Sequence, residues 1–137
     1  MDNPKVSIIV PIYRVEEYIE RCAESLFAQT FDDIEYIFVD DCSPDKSVEI
    51  LQRTLEKYPH RKRLTRIERL SSNRGLPVVR RQGIQLPSGD YTVHCDSDDW
   101  MDVHAIKELY TFALSGHYDM VFYDFYRSDG VSTYASA

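Results

Sequence analysis

The residues most able to do chemistry lie in the run Asp90-Tyr91-Thr92-Val93-His94-Cys95-Asp96-Ser97-Asp98-Asp99-Trp100-Met101-Asp102. A short β-prone stretch ends in Asp96, Asp98 and Asp99, and a helical pattern opens directly behind Asp102. Carboxylates this close raise one another's pKa and cost stability unless a cation or ordered donors offset them. The pattern therefore suits a hard divalent ion held by oxygen ligands. On an extended backbone Asp96 and Asp98 point to the same side and could share one ion, with Asp99 just past the strand end. The same residues also suit a solvated acidic loop in which Asp102 caps the next helix. A zinc site can be drawn from Cys42, His94, Cys95 and His104, but no C-x-x-C spacing supports it.

Positioning these groups falls to a chain that alternates two periodicities. Residues 6–10, Val-Ser-Ile-Ile-Val, are nearly all apolar and are closed by Pro11, as a buried parallel strand reads. Val15, Tyr18, Ile19, Cys22 and Leu26 recur at helical spacing with Glu16, Glu17, Glu20 and Glu24 between them, predicting an amphipathic helix to about Gln29. A second strand is expected at residues 34–39, followed by Asp40-Asp41-Cys42-Ser43-Pro44-Asp45. There Ser43 before Pro44 reads as a helix cap and first helical position. That helix carries Val48, Leu51 and Leu55 and ends before Pro59.

His60-Arg61-Lys62-Arg63 reads as a basic, solvated connection, and residues 64–70 as a third strand at a sheet edge. A loop over residues 71–75 leads to a helix through Val78, Val79 and Gln82 to about Leu86. The turn Pro87-Ser88-Gly89-Asp90 then opens a fourth strand at residues 91–95. Ile106, Leu109, Tyr110 and Ala113 mark another helix, residues 119–126 a fifth strand, and Ser128-Asp129-Gly130 a turn out of it.

This alternation predicts an α/β fold, a Rossmann-like, mostly parallel sheet with right-handed crossovers and helices on both faces. Ligands of such sheets bind beyond the carboxyl ends of the strands, where strand order reverses. The polar segments at residues 11–14, 40–43 and 96–99 each follow a predicted strand and so share that rim. None is a glycine-rich phosphate cradle, so a nucleotide bound here needs its diphosphate neutralised by a metal or by arginine.

Composition narrows the reading further. A chain of 137 residues, 43% hydrophobic, suits a single globular domain with a substantial core. With 23 acidic against 16 basic residues, a formal charge of −7 argues against nucleic acid as the main partner. No apolar run approaches the about 18 residues of a membrane span, and the N-terminus lacks a signal-peptide pattern, so a cytoplasmic location is expected. The three cysteines, Cys22, Cys42 and Cys95, are expected to be free thiols.

Taken in order, several motifs resemble the nucleotide-sugar-binding half of a family 2 glycosyltransferase of the GT-A type. They are residues 6–13, Val-Ser-Ile-Ile-Val-Pro-Ile-Tyr; 25–30, Ser-Leu-Phe-Ala-Gln-Thr; and 39–45, Val-Asp-Asp-Cys-Ser-Pro-Asp. Asn73-Arg74-Gly75, Arg80-Arg81-Gln82-Gly83-Ile84, Ser88-Gly89-Asp90-Tyr91 and Asp96-Ser97-Asp98-Asp99 complete the series. The resemblance implies that Pro11, Tyr13 and Asp41 hold the base, that Arg80 lies near the base or diphosphate, and that Asp96 holds ribose. It also implies Mg²⁺ or Mn²⁺ on the diphosphate beside Asp98 and Asp99. Three positions depart from the family pattern: Arg14 and Arg81 stand where asparagine is usual, and Cys42 where glycine is usual. If position 42 needs a positive φ, the cysteine is strained there.

The implied reaction is an inverting, metal-dependent transfer from a nucleotide-diphosphate sugar, with UDP preferred, to a saccharide or lipid-linked acceptor. Its carboxylate base is expected beyond Ala137. The chain is thus expected to be a truncated donor-binding portion, inactive alone, of a polysaccharide-building enzyme that lies in the cytoplasm or at the membrane periphery. A nucleotide-binding module without catalysis and a nucleotidyltransferase remain the alternatives. The aromatic residues 118–126, left uncovered by a missing acceptor half, are expected to drive self-association.

Overall fold

A computed structural model describes residues 4–121, 126–128 and 133–135. They fall into two compact units, Met1–Lys107 and Glu108–Ala137. The first unit is built on four strands: β1 (Val6–Ile12), β2 (Ile34–Asp40), β3 (Thr65–Arg69) and β4 (Tyr91–His94). All pair in parallel in the order β3-β2-β1-β4. The chain steps outward from β1 to β3 and then returns to the other side of β1, so strand order reverses between β1 and β4. Right-handed crossovers consequently place α1 (Ile19–Phe27) and α2 (Ser47–Glu56) on one face and α3 (Leu76–Ile84) on the other.

Side-chain packing follows the strand period of two. From β2, Tyr36 and Phe38 meet the α1 ring of Phe27 edge-on, at centroid distances of 5.1 and 5.9 Å. The intervening Ile37 and Val39 pack on Val79 of α3. β1 is buried along its whole length, which explains its unbroken apolar run. α3 approaches β1 so closely that a Cβ on Gly83 would lie 2.6 Å from the Ile9 Cγ2. At the far end of the strands, buried Ser7 donates to Glu35 Oε2 (2.7 Å) and accepts from the Gly89 N–H (2.9 Å). The Ser88-Gly89 turn is thereby pinned to β1.

Several expectations change in detail. The first helix opens at Ile19, not Val15: residues 15–18 form a turn on the Val15 carbonyl, and the Val15 N–H goes to Ser47 Oγ (2.9 Å). Ser43 caps nothing. Its N–H bonds the Asp40 carboxylate and its Oγ accepts the Arg14 N–H (3.2 Å), so α2 starts at Ser47, whose N–H (3.1 Å) and hydroxyl (2.6 Å) donate to Asp45. The basic connection is a 3₁₀ helix, Pro59–Leu64, and its Arg61 is buried at 3% exposure rather than solvated. The Arg61 guanidinium donates to the Phe27 carbonyl, which the end of α1 leaves open, and to the carbonyls of Gln29, Phe31 and Asp32 in the segment that follows. β3 is the expected edge strand, bearing Arg66 and Glu68.

α4 (Ala105–Ser115) begins in the first unit, and its remainder in the second ends through His117 at φ +54, with the Tyr118 N–H on the Ala113 carbonyl (2.9 Å). The Phe112 and Tyr118 rings stack at 5.2 Å. The fifth strand expected over residues 119–126 is absent at 119–121, while 122–125 lie outside the described residues. The observed β5 (Tyr126–Ser128) pairs antiparallel with β6 (Thr133–Ala135). Asp129 and Gly130 of the expected turn also lie outside them. Among the described residues no helix is long and apolar enough to cross a membrane.

Candidate functional site

Beyond the carboxyl ends of β1, β2 and β4 lies a cavity of about 430 Å³ bordered by Pro11, Tyr13, Asp41, Asp96 and Asp98. Each strand end supplies one rim segment, and the cavity sits at the reversal of strand order, where such sheets bind ligands. A second hollow, of about 370 Å³ between α2 and β3, shares none of these residues.

The first two rim segments are laced together. Besides the bonds to Ser43 and Ser47, the Glu16 N–H reaches Asp45 Oδ2 (3.4 Å) and the Lys46 N–H reaches Glu16 Oε2 (3.0 Å). The two aspartates at the end of β2 divide the work. Asp40 is fully buried, pairs with Arg69 Nε (2.9 Å) and accepts from the Ser43 N–H. Asp41 faces the cavity and gives both oxygens to the backbone N–H groups of Arg74 (2.7 Å) and Gly75 (2.9 Å). Gly75, at φ +90, is the residue before α3, and Pro77 follows within its first turn. Asn73, Gly75, Leu76 and Val79 thus join the cavity wall. The sequence flagged the Asn73-Arg74-Gly75 motif without a role; a glycine ahead of Leu-Pro was the available signal.

The third rim segment is the acidic one. Cys95 continues the ladder through its N–H to the Ile9 carbonyl (3.0 Å), and the Asp99 N–H then closes a turn on the Asp96 carbonyl (3.0 Å). The turn, rather than strand alternation, gathers the carboxylates: β4 has already ended at His94. One oxygen from each of Asp96, Asp98 and Asp99 comes within 4.8 Å of the others. Among the described residues no other such group of three His, Cys, Asp or Glu forms, so Cys42, His94, Cys95 and His104 do not assemble a zinc site. All three cysteines are free.

An exposed, all-carboxylate donor set fits a hard cation such as Mg²⁺ or Mn²⁺. Burial pushes the Asp99 carboxyl above its usual range, the neighbouring charges of Asp98 and Asp96 push it further, and Arg21 partly opposes them. Arg21 itself lies 3.8 Å over the Trp100 ring. Asp102, read as a helix cap, accepts the His104 N–H (2.8 Å), and its carbonyl accepts that of Ala105 (3.0 Å) where α4 begins.

Arg80 does not border the cavity; it reaches the site through Asp96, at 3.1 Å. The two departures with a geometric consequence are Arg14 at φ +53 and Cys42 at φ +58, both in the left-handed region. The Arg14 guanidinium lies 5.4 Å from the Tyr13 ring centroid.

Comparison with known proteins adds the following. The family described as Glycosyl transferase family 2 matches residues 7–136. Glycosyltransferase GlyA of Streptococcus pneumoniae is 35% identical over 132 residues, which is 94% of this chain and 18% of the relative. EpsJ of Bacillus subtilis, an uncharacterized glycosyltransferase, is 40% identical over 124 residues, 90% of this chain and 35% of the relative. Among solved structures, Staphylococcus aureus TarS 1–349 in complex with UDP-GlcNAc superposes with a TM-score of 0.74 at 30% identity, covering 82% of this chain and 32% of that one. The chain therefore spans well under half the length of these relatives.

Proposed function

This chain belongs to glycosyl transferase family 2, and on that premise we propose that it is the donor-binding portion of an enzyme that moves a sugar from a UDP-sugar to an acceptor hydroxyl. The observation that carries the reading is the convergence of Pro11, Tyr13, Asp41, Asp96 and Asp98 on one cavity at the reversal of strand order. TarS, similar over most of this chain, is a transferase solved with UDP-GlcNAc.

In this reading Tyr13, 38% exposed, offers a ring face to the base, and Pro11 and Asp41 line the rest of its slot. Asp96 accepts hydrogen bonds from the ribose hydroxyls, and Arg80 orients Asp96 while adding positive charge near the diphosphate. Asp98 and Asp99 hold Mg²⁺ or Mn²⁺, which when bound supplies a Lewis acid for the charge that builds on the leaving diphosphate. Transfer is single-displacement and inverting, and a carboxylate takes the acceptor proton. Given the share of its relatives that this chain spans, we assign that base and the acceptor site, for a saccharide or a lipid-linked acceptor of polysaccharide synthesis, to other parts of the whole protein. The chain alone binds donor without turnover, lies on the cytoplasmic side, and self-associates through its aromatic stretch, where Met120 is 71% exposed.

Calorimetry with UDP, with Mn²⁺ or with EDTA, tests the reading. Affinity should fall on chelation and in Asp98→Asn; equal binding in all arms would sink it.

A further inference from the structure

The motif Ser25-Leu26-Phe27-Ala28-Gln29-Thr30 holds no donor group in the reading above, yet polar atoms of Ser25, Gln29 and Thr30 converge on one segment. It grips the chain that leaves the acidic turn. Ser25 Oγ accepts the Met101 N–H (3.1 Å), and the Thr30 N–H donates to the Val103 carbonyl (2.8 Å). Gln29, 3% exposed, is the centre of the grip. Its Nε2 donates to the carbonyls of Asp102 (2.7 Å) and Ser25 (2.9 Å), and its Oε1 accepts the Ile106 N–H (3.1 Å). Arg61 braces the same loop from behind, donating to the Gln29 carbonyl (2.7 Å).

The acidic turn is therefore held at both ends: by the sheet ladder at Cys95, and by Gln29 just past Met101. Between these anchors stand Asp96, Asp98 and Asp99. Short carboxylates on a turn can share one ion only while the turn keeps its shape, and outer groups that fix ligand orientation affect metal affinity strongly. We propose that Gln29 is a positioning residue for the Asp96, Asp98 and Asp99 carboxylates and so sets how tightly a divalent ion and the donor diphosphate are held. The inference rests on the donor-site reading given above.

Electron paramagnetic resonance of free Mn²⁺, titrated into the chain in the presence of UDP, tests it. Gln29→Met keeps side-chain length and apolar bulk but removes all three hydrogen bonds, and should weaken Mn²⁺ binding about tenfold. Ser25→Ala, which removes the acceptor for Met101 (3.1 Å) together with the hydroxyl's local bond to the Cys22 carbonyl (2.7 Å) within α1, should shift it in the same direction by less, and carries the test if Gln29→Met fails to fold. Thr54→Val, which deletes the buried hydroxyl bond to the Ile50 carbonyl (2.8 Å) in α2, controls for lost stability and should leave Mn²⁺ affinity unchanged. Folded Gln29 and Ser25 variants that bind Mn²⁺ as the wild type does would overturn this inference alone, as would an equal shift in Thr54→Val. A wild-type chain that binds neither Mn²⁺ nor UDP would overturn the donor-site reading with it.

Discussion

Arg80 on α3 and Asp96 beyond β4 hold each other at 3.1 Å, an ion pair between two residues assigned to the same nucleotide. Both side chains are about half exposed, 46% and 50%, so solvent screens the pair and its contribution to stability is of order 0–1 kcal/mol. Its consequence lies in orientation: the pair fixes which Asp96 oxygen remains free for a ligand. Arg80→Ala should leave the thermal midpoint nearly unchanged while weakening UDP binding by about 1–2 kcal/mol, the scale of a charge-assisted contact. Because both side chains act through one contact, Arg80→Ala and Asp96→Ala should be non-additive in a double-mutant cycle read by calorimetry. Additive losses would separate their roles.

Asp41 carries a double duty that the sequence did not show. Its carboxylate satisfies the Arg74 and Gly75 N–H groups ahead of α3, and it borders the cavity. Asp41→Ala strands two backbone donors at a part-buried position and should cost about 1–2 kcal/mol of folding stability, measured by urea unfolding. If it also holds the base, UDP affinity should drop by a further amount of similar size. A loss of stability with unchanged UDP affinity would leave Asp41 only the loop-holding role.

The parallel strands, the helices on both faces, the edge position of β3 and the placing of three polar segments after strand ends were legible because they rest on periodicity and on the handedness of crossovers. What escaped were the polar atoms that hold loops. Ser43 has the chemistry of a helix cap, but its hydroxyl is taken by Arg14, 29 positions away, a partner no local pattern reveals. Arg61 looked like one of several surface cations, yet it is the one that meets four carbonyls of the α1 exit. The acidic cluster was legible from its close spacing, but strand alternation, the reason given for Asp96 and Asp98 facing one side, does not operate: a turn gathers Asp96, Asp98 and Asp99. The backbone hydrogen bond that closes this turn has no side-chain signature.

Cys42 sits at φ +58, where a Cβ is strained, and its thiol makes a long contact of 3.8 Å to the Ser71 carbonyl. Left-handed backbone costs an L-residue roughly 1–2 kcal/mol relative to glycine, offset in part by glycine's greater freedom when unfolded. Cys42→Gly should therefore stabilise the chain by about 0.5–1 kcal/mol in urea unfolding. A destabilised variant would mean that the thiol packs better than its long contact to Ser71 suggests.

Asp45 links pH to the shape of the rim. Burial pushes its carboxyl up, but hydrogen bonds from the Ser47 hydroxyl and N–H and from the Glu16 N–H outweigh this and hold it below the ordinary value of 3.8. The folded chain thus binds this proton less tightly than the unfolded chain. The stabilisation is fully present above pH 3.8 and is lost as pH falls through the lower folded value. Asp45→Asn cannot titrate and presents an amide where Ser47 and Glu16 need acceptors. Wild type should therefore exceed Asp45→Asn in stability at pH 7, and the gap should narrow as the medium is acidified below the carboxylate range, as read by urea midpoints along a pH series. Because Asp45 joins the segment after β1 to the start of α2, the variant should also loosen the Tyr13 loop and weaken UDP binding at pH 7. A stability gap that stays constant with pH would show that Asp45 acts through packing and not through its charge.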